Sequence, residues 1–311
     1  MKIDDTRNDF MGGECTKQEF IQRMYEEHHS KLFDYSMYLS KTNIASIEIV
    51  DGKVIMTSRD RAVRMLCPLG DHRVAPVEAL NFLDYETVDS SMIMRLVSPT
   101  DTVIDIGANM GWYSINIAKT FPSSRVHAFE PIPKTFSFLK SNIELNRLQN
   151  VIAHHFGLSS EKKDLIFYYY PEGGVNASAA NLSERADAEK ITCHVERLDD
   201  FVYANGLKVD FIKCDVEGAE LFAFQGAVET LKRDNPIVFT EMLRKWSAKF
   251  NYHPNEIIAL FDAIGYRCFT ARDGALVEFL SMDEATLETN FFFLHKERHE
   301  RQIGLLELTD C

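Results

Sequence analysis

The 311-residue sequence has no long apolar run, no CxxC pair and no surplus of positive charge. No run could cross a bilayer and the polar N-terminus lacks a secretion signal, so we expect a cytoplasmic protein with no membrane span. Six scattered cysteines are typical of reduced thiols rather than of a disulfide framework. A net charge of -13 disfavours nucleic acids and anionic membranes, because both are bound by clustered cations.

The first part of the chain predicts a helix followed by a β-hairpin. Residues 16–19 read TKQE, a capping box, and apolar residues recur behind it at helical spacing. Further on, two alternating runs flank Asp51 and Gly52, a dipeptide that favours a type I′ turn. We assign residues 1–83 to an N-terminal extension of the main domain.

From about residue 86, predicted strands alternate with predicted helices, a pattern typical of a parallel α/β sheet with helices on both faces. A long amphipathic helix is predicted over residues 217–233, an edge strand over 164–170, and a lid or a disordered segment over 171–190. The core strands are predicted at residues 102–107, 125–130, 151–157, 209–215 and 237–241.

Ligands of open α/β sheets bind beyond the carboxyl ends of the strands, where the strand order reverses. Four acidic residues occupy such positions in this sequence, because each one lies at the end of a predicted strand. They are Asp105, Glu130, Asp215 and Glu241. Any one of them alone is an ordinary helix cap, but the set indicates a single binding crevice.

The stretch VIDIGANMGWYS, residues 103–114, selects the ligand class. No Lys follows Gly111 at the spacing of a phosphate loop. Asn109 occupies the second glycine position of a dinucleotide fingerprint, so a diphosphate would lack its usual contact. Glu130 follows Gly111 by 19 residues, where a carboxylate can accept both ribose hydroxyls. S-adenosylmethionine fits this pattern.

The cofactor candidates follow from these strand ends. Asp105 is expected to order the loop and face the methionine amine, and Phe156 and Gly157 to contact the adenine. The full predicted cofactor set at these tips is Asp105, Gly107, Ala108, Asn109, Gly111, Tyr113, Glu130, Pro131, Phe156 and Gly157.

The catalytic candidates are Asp215 and Glu217, either of which could face the methyl group of the cofactor and act as a base. We place Asp215 nearer the cofactor and Glu217 nearer the group that receives the methyl. Two alternatives stay open: Glu217 and Glu220 as acids at a helix start, or a divalent metal held by Asp215, Glu217 and Glu241. The spacing does not demand a metal, so none is predicted. The fourth strand also lacks an N/D-P-P-Y/F tip, which favours an oxygen acceptor.

Four segments, DIGANMGWYS, AFEPIP, FIKCDVEGAE and FTE, together resemble the FkbM-type S-adenosylmethionine-dependent methyltransferases over residues 84–295. The resemblance implies a Rossmann-like class I methyltransferase fold, with a seven-stranded, mostly parallel sheet whose last strand is antiparallel. It also implies O-methylation of hydroxyls on sugars, polyketides or related metabolites, so the acceptor is a small molecule or a glycan. Such enzymes often close over the cofactor near Glu86, which joins the cofactor set.

The two ends of the chain lie outside the resemblance, and two alternative functions share part of the pattern. Residues 1–83 lie outside the resemblance and are assigned to substrate choice or to a homodimer contact, and residues 296–311 form a C-terminal tail. An NAD(P)-dependent oxidoreductase would share the sheet and the ribose acid but would need the missing glycine pattern. A non-catalytic scaffold with a methyltransferase-like fold would bind the cofactor or a partner without turnover.

Overall fold

The computed structural model describes residues 2–170, 177–182 and 188–308. Its N-terminal part contains the predicted helix, because the Thr16 hydroxyl accepts the Glu19 amide and the Glu19 carboxylate accepts the Thr16 amide. Helices α1 (Ile3–Met11), α2 (Lys17–Met24) and α3 (Ser30–Tyr38) come first, with a π-helical turn (Tyr25–His29) between α2 and α3 and a 3-10 turn (Leu39–Lys41) after α3.

The predicted hairpin is also present, and it carries a third strand that the sequence did not predict. Strands β1 (Ile44–Val50), β2 (Lys53–Ser58) and β3 (Arg64–Cys67) form an antiparallel sheet. Asp51 and Gly52 at the hairpin turn have φ of 50° and 72°, as a type I′ turn requires. Helices α4 (Ala75–Phe82) and α5 (Thr87–Leu96) then lead into the main sheet.

The elements after α5 are β4 (Thr102–Ile106), α6 (Trp112–Thr120), β5 (Arg125–Phe129), α7 (Pro133–Leu145), β6 (Val151–His154), β7 (Gly157–Leu158), β8 (Lys163–Tyr169), β9 (Glu189–Glu196), α8 (Leu198–Ala204), β10 (Phe211–Cys214), α9 (Glu220–Gln225), α10 (Val228–Asp234), β11 (Ile237–Glu241), α11 (Arg244–Ser247), a 3-10 turn (Ala248–Phe250), α12 (Asn255–Asp262), β12 (Tyr266–Arg272), β13 (Ala275–Glu278), β14 (Asn290–His295) and α13 (Glu300–Leu306).

The main sheet contains eight strands in the described part of the chain, in the order β13-β12-β14-β11-β10-β4-β5-β6. The predicted Rossmann-like architecture of seven strands is confirmed, and β13 adds an eighth at the edge. Strand β14 runs antiparallel to both of its neighbours. The strand order reverses between β4 and β10.

Two predicted elements differ in the structure. The helix predicted over residues 217–233 is divided into α9 and α10, because a Cβ on Gly226 would lie 2.0 Å from the Ser159 carbonyl oxygen and the Asp199 carboxylate accepts the Thr230 amide at 2.8 Å. That contact caps a new helix start. The strand predicted over residues 151–157 is divided into β6 of the main sheet and β7 of a separate three-stranded sheet. Strand β8 is an edge strand, as predicted, in that smaller sheet of order β7-β9-β8.

Helices cover both faces of the main sheet, and successive strand residues alternate between the two resulting cores. Val103 of β4 packs with α5, α6 and α7 in one core, and Ile104 packs with α8, α9 and α12 in the other. Asp105 and Lys213 are direct register partners on the paired strands β4 and β10. Side chains at paired positions point to the same face. None of the helices described is long and apolar enough to span a membrane.

Candidate functional site

An open cavity of about 900 Å³, including space open to solvent, lies at the carboxyl ends of the central strands. Eight of the predicted site residues line it: Gly107, Ala108, Asn109, Tyr113, Glu130, Pro131, Asp215 and Glu217. The wall also includes residues that the sequence did not single out, among them Met65, Val74 and Pro76 of the N-terminal extension, Phe167, Ala177 and Lys213.

The glycine loop after β4 has a backbone that only glycine can follow at its first position. Gly107 has a φ of +71°, and a Cβ there would lie 1.9 Å from the Asp215 carbonyl oxygen. The amides of Gly107 and Ala108 both donate to the Phe129 carbonyl, at 3.0 and 2.9 Å. Gly111 begins α6 with a φ of +93°. The loop therefore lies close against two neighbouring strand ends and leaves its outer surface to the cavity.

Glu130, directly after β5, is buried and anchored to backbone amides. Its Oε2 accepts the Asn109 amide at 3.0 Å and its Oε1 accepts the Ile132 amide at 2.8 Å. Burial raises the pKa of Glu130 to about 7, although the two backbone hydrogen bonds favour the charged form. Each carboxylate oxygen can accept a further hydrogen bond. The carboxylate is thus held in one orientation at the cavity wall.

Asp105 lies beneath the glycine loop and is not among the lining residues. It is 1% exposed, its Oδ2 accepts the Ser114 hydroxyl at 2.6 Å, and its Oδ1 lies 3.2 Å from Lys213 Nζ. Oδ1 makes no hydrogen bond of ordinary geometry within the described residues, so this ion pair is what compensates its burial. The predicted ordering of the loop fits this position. The cation beside Asp105 is a lysine of the protein, where we expected the methionine amine.

Lys213 is the main site residue that the sequence analysis missed. It occupies a strand of otherwise apolar or small residues, FIKC, and its side chain is 4% exposed. Burial opposes the charge of Lys213, but the carboxylates of Asp105 and Asp215 outweigh it and raise its pKa above the ordinary value. A lysine in a short buried strand was the signal available in the sequence, because such a charge is rarely buried without a partner.

Four acidic residues lie close enough for their charges to interact at the tips of β10 and β11 and at the start of α5. They are Glu86, Asp215, Glu217 and Glu241. Burial, followed by the charge of Asp215, raises the pKa of both Glu217 and Glu241. Burial also raises the pKa of Glu86. In the described residues, no group of three His, Cys, Asp or Glu side chains is arranged to hold a metal ion. Carboxyl groups with raised pKa values can take up protons near neutral pH.

Glu220 does not line the cavity but anchors the turn between β10 and α9. It is 1% exposed and accepts the amides of Val216 and Gly218 at 3.1 and 3.0 Å. Burial raises the pKa of Glu220 to about 7 in spite of these backbone hydrogen bonds. Its position at the start of α9 fits the alternative in which it is a helix-start acid. Glu217, in contrast, has a φ of 54° and lines the cavity.

Glu86 lies behind the cavity wall rather than in it. It precedes α5 with a φ of 44°, and its carboxylate accepts a hydrogen bond from the Tyr113 hydroxyl. Its neighbour Tyr85 does line the cavity and packs edge-to-face on Trp112, with ring centroids 5.7 Å apart. The structure therefore brings Glu86 to the site through Tyr113.

Five predicted site residues do not line the cavity, namely Glu86, Asp105, Gly111, Phe156 and Gly157. Of these, Phe156 and Gly157 pack elsewhere. Phe156 packs edge-to-face on Phe129, with ring centroids 5.3 Å apart, and against Phe201. A Cβ on Gly157 would lie 3.4 Å from Pro131 side-chain atoms, so Gly157 packs behind that residue. The predicted adenine contact of Phe156 thus has no counterpart in the wall.

The predicted lid over residues 171–190 falls largely on segments 171–176 and 183–187, which lie outside the described residues. The described part of this stretch reaches the site. Ala177 lines the cavity, and the Ser178 hydroxyl donates to the Glu217 carbonyl at 2.9 Å.

Comparisons with known proteins show that the chain is similar to methyltransferases. A family model described as Methyltransferase FkbM domain matches residues 105–268, more than half of the 311 residues. Methyltransferase 1 of Beauveria bassiana is 31% identical over 147 residues, which cover 41% of this chain and 59% of that protein. The 31-O-demethyl-FK506 methyltransferase FkbM of Streptomyces tacrolimicus is 28% identical over 149 residues, 39% of this chain and 57% of that protein.

A solved structure is also similar. The crystal structure of methyltransferase FkbM from Methylobacillus flagellatus superposes with a TM-score of 0.41 at 16% identity, over 63% of this chain and 44% of that one. The chain spans 59% and 57% of the lengths of the two curated relatives named above.

Proposed function

Because the chain belongs to the family of FkbM methyltransferase domains, we propose that it transfers a methyl group from S-adenosylmethionine to a hydroxyl oxygen of a small-molecule or glycan acceptor. The observation that carries this proposal is the meeting of three features at one cavity. These are the glycine loop, the anchored Glu130 carboxylate, and the acid pair Asp215 and Glu217.

The residues present fit the cofactor. The space beside Gly107 that a Cβ would fill is taken by the Asp215 carbonyl, so the loop packs directly on the end of β10. Gly107, Ala108 and Asn109 line the cavity, where the amino-acid tail would lie. The free acceptor sites of Glu130 suit the two ribose hydroxyls. Asp215, whose side chain is 39% exposed, is available to the positively charged end of the cofactor. Ile132 and Phe167 offer apolar surface for the adenine in place of Phe156.

The bound cofactor supplies a methyl group already activated by its sulfonium. The protein's part is to hold an acceptor oxygen in line at about 3 Å and to exclude water. When the methyl group passes from sulfur to the acceptor oxygen, the hydroxyl would give up its proton to a base of the protein. Glu217 suits this role, because burial and the charge of Asp215 raise its pKa and favour proton uptake.

The acceptor side of the cavity involves the N-terminal extension. Met65, Val74 and Pro76 line the cavity with apolar surface, so this segment contributes to the choice of acceptor. An oxygen acceptor agrees with the name of the Streptomyces relative, a 31-O-demethyl-FK506 methyltransferase. The net charge of -13 argues against a nucleic acid acceptor.

The test is calorimetry with S-adenosylhomocysteine, followed by transfer of labelled methyl from S-adenosylmethionine to a panel of sugars and hydroxylated metabolites. Wild type is compared with Glu130→Gln, and Glu229→Gln is the matched control for that variant, because the Glu229 side chain is 76% exposed and does not line the cavity. Binding with transfer to a hydroxyl supports the proposal, whereas binding without transfer to anything favours a scaffold. Energy transfer to bound NADH, with no binding of S-adenosylhomocysteine, would favour an oxidoreductase.

A further inference from the structure

Lys213 places an ammonium group between the glycine loop and two carboxylates. Its Nζ donates to the Gly107 carbonyl at 2.7 Å and lies 3.5 Å from the Ile106 carbonyl. It also lies 3.2 Å from Asp105 Oδ1 and 3.8 Å from Asp215 Oδ2. One side chain of β10 thus contacts the end of β4, the loop that follows β4, and the acid that follows β10.

Stability alone does not explain this buried charge pair. Removing an ammonium and a carboxylate from water is costly, and replacing a buried ion pair by apolar residues of similar volume is often neutral or stabilising. The neighbouring strand positions on the same face, Val103 and Phe211, are filled by apolar side chains. A core at this position could have been entirely apolar, so the pair indicates a functional requirement.

We propose that Lys213 is a positioning residue for cofactor binding, which rests on the methyl-transfer function proposed above. Its ammonium fixes the Gly107 peptide and holds the Asp215 carboxylate at the cofactor side of the cavity. Asp105 neutralises the ammonium and so allows it to be buried beneath the loop.

The hydrogen bonds of the loop show how Lys213 acts. The Gly107 amide is held by the Phe129 carbonyl at 3.0 Å, and the Gly107 carbonyl is held by Lys213. The peptides of this loop are therefore fixed from two neighbouring strands. Without Lys213, the Gly107 carbonyl would lose its donor in a part of the structure where little water can replace it. The Gly107 peptide, which lies on the side of the loop that we assign to the amino-acid tail of the cofactor, would then be free to rotate.

The aromatic ring of Tyr113 packs on the other side of the Lys213 ammonium. The Tyr113 ring centroid lies 5.8 Å from Nζ, and the same tyrosine donates to Glu86. The ring restricts the ammonium to the side of the loop and Asp215. Flanked by Asp105 and Asp215, the ammonium keeps its proton and acts as a donor, not as a base.

The test separates positioning from folding. In Lys213→Met/Asp105→Asn both charges are removed, and the asparagine that replaces Asp105 retains an acceptor for the Ser114 hydroxyl. We expect its thermal midpoint to fall by no more than the loss of one hydrogen bond to the Gly107 carbonyl would cause, because no unpaired charge is left buried. Its affinity for S-adenosylhomocysteine, measured by calorimetry, should fall about tenfold or more. Lys208→Met is the control, because its side chain is 61% exposed at a distant loop.

Three outcomes would overturn the inference. A double variant with wild-type midpoint and wild-type affinity would show that the pair has no positioning role. If that variant does not fold, Lys213→Met/Asp105→Leu, with an apolar pair, takes its place. If neither double variant folds, the pair is required for folding and not for positioning. If wild-type protein itself binds neither S-adenosylhomocysteine nor S-adenosylmethionine, the proposed function falls and this inference falls with it.

Discussion

Glu130→Gln is the substitution that tests the cofactor site most directly. In the wild type, Oε1 and Oε2 each accept a backbone amide, from Ile132 at 2.8 Å and from Asn109 at 3.0 Å. A glutamine has only one acceptor oxygen, so in either orientation its NH₂ group faces a backbone N–H. One buried amide of the loop then has no acceptor, and the charged acceptor for the ribose hydroxyls is lost.

The magnitude follows from these contacts. The unsatisfied loop amide lowers the stability of the free and the bound protein alike, so the loss of affinity comes from the ribose contacts. A hydrogen bond to a charged group contributes about 1.5–3 kcal/mol, and about 1.4 kcal/mol corresponds to a factor of ten in affinity. We therefore expect S-adenosylhomocysteine to bind Glu130→Gln about tenfold to a hundredfold more weakly. Calorimetry at about pH 8 is the suitable measurement, because that pH lies above the pKa of about 7 for Glu130 and the wild-type carboxylate is charged.

The pH dependence gives a second readout of the same substitution. Because the pKa of Glu130 is about 7, wild-type affinity should rise as the pH increases through that value, since the ionised form accepts both hydroxyls. Glu130→Gln should lack the Glu130 part of this rise, and the exposed Glu229→Gln should behave as wild type. Equal affinity and an equal pH profile for wild type and Glu130→Gln would refute the assignment of Glu130 to the ribose.

Three further substitutions test the rest of the site. Gly107→Ala should abolish cofactor binding, because its Cβ would lie 1.9 Å from a carbonyl oxygen, whereas Gly206→Ala, also at positive φ but with nothing within 4 Å, should cost only about 1 kcal/mol by chemical denaturation. An equal loss of cofactor affinity in the two variants would contradict the close approach of Gly107 to the Asp215 carbonyl. Phe167→Leu should weaken S-adenosylhomocysteine binding and Phe156→Leu should not, because only Phe167 lines the cavity; the reverse result would restore Phe156 as the adenine contact. Glu217→Gln should abolish methyl transfer and yet stabilise the ligand-free protein, since the raised pKa means that folding disfavours the Glu217 charge. The gain should grow as the pH rises above the ordinary value of 4.5, and a gain that shrinks with pH in denaturation experiments would show that this sign is wrong.

The core strands around the site and the residues at the strand tips could be predicted from local sequence patterns. Local patterns are sufficient for this, because an apolar run that ends in an acid and glycines marks the carboxyl end of a buried strand. Parallel strands end at the same edge, so Gly107, Glu130 and Asp215 had to meet there. The capping box at Thr16 and the turn at Asp51 were equally local, since each depends on residues a few positions apart.

The partners that side chains have across strands could not be predicted from the sequence, because they depend on strand order and register. Asp105 pairs with Lys213 because the register of β4 and β10 places them side by side on one face. Phe156 packs with Phe129 and Phe201 rather than in the cavity, and Met65 reaches the cavity wall from the N-terminal extension. These contacts join residues far apart in the chain, and spacing within one segment carries no information about them.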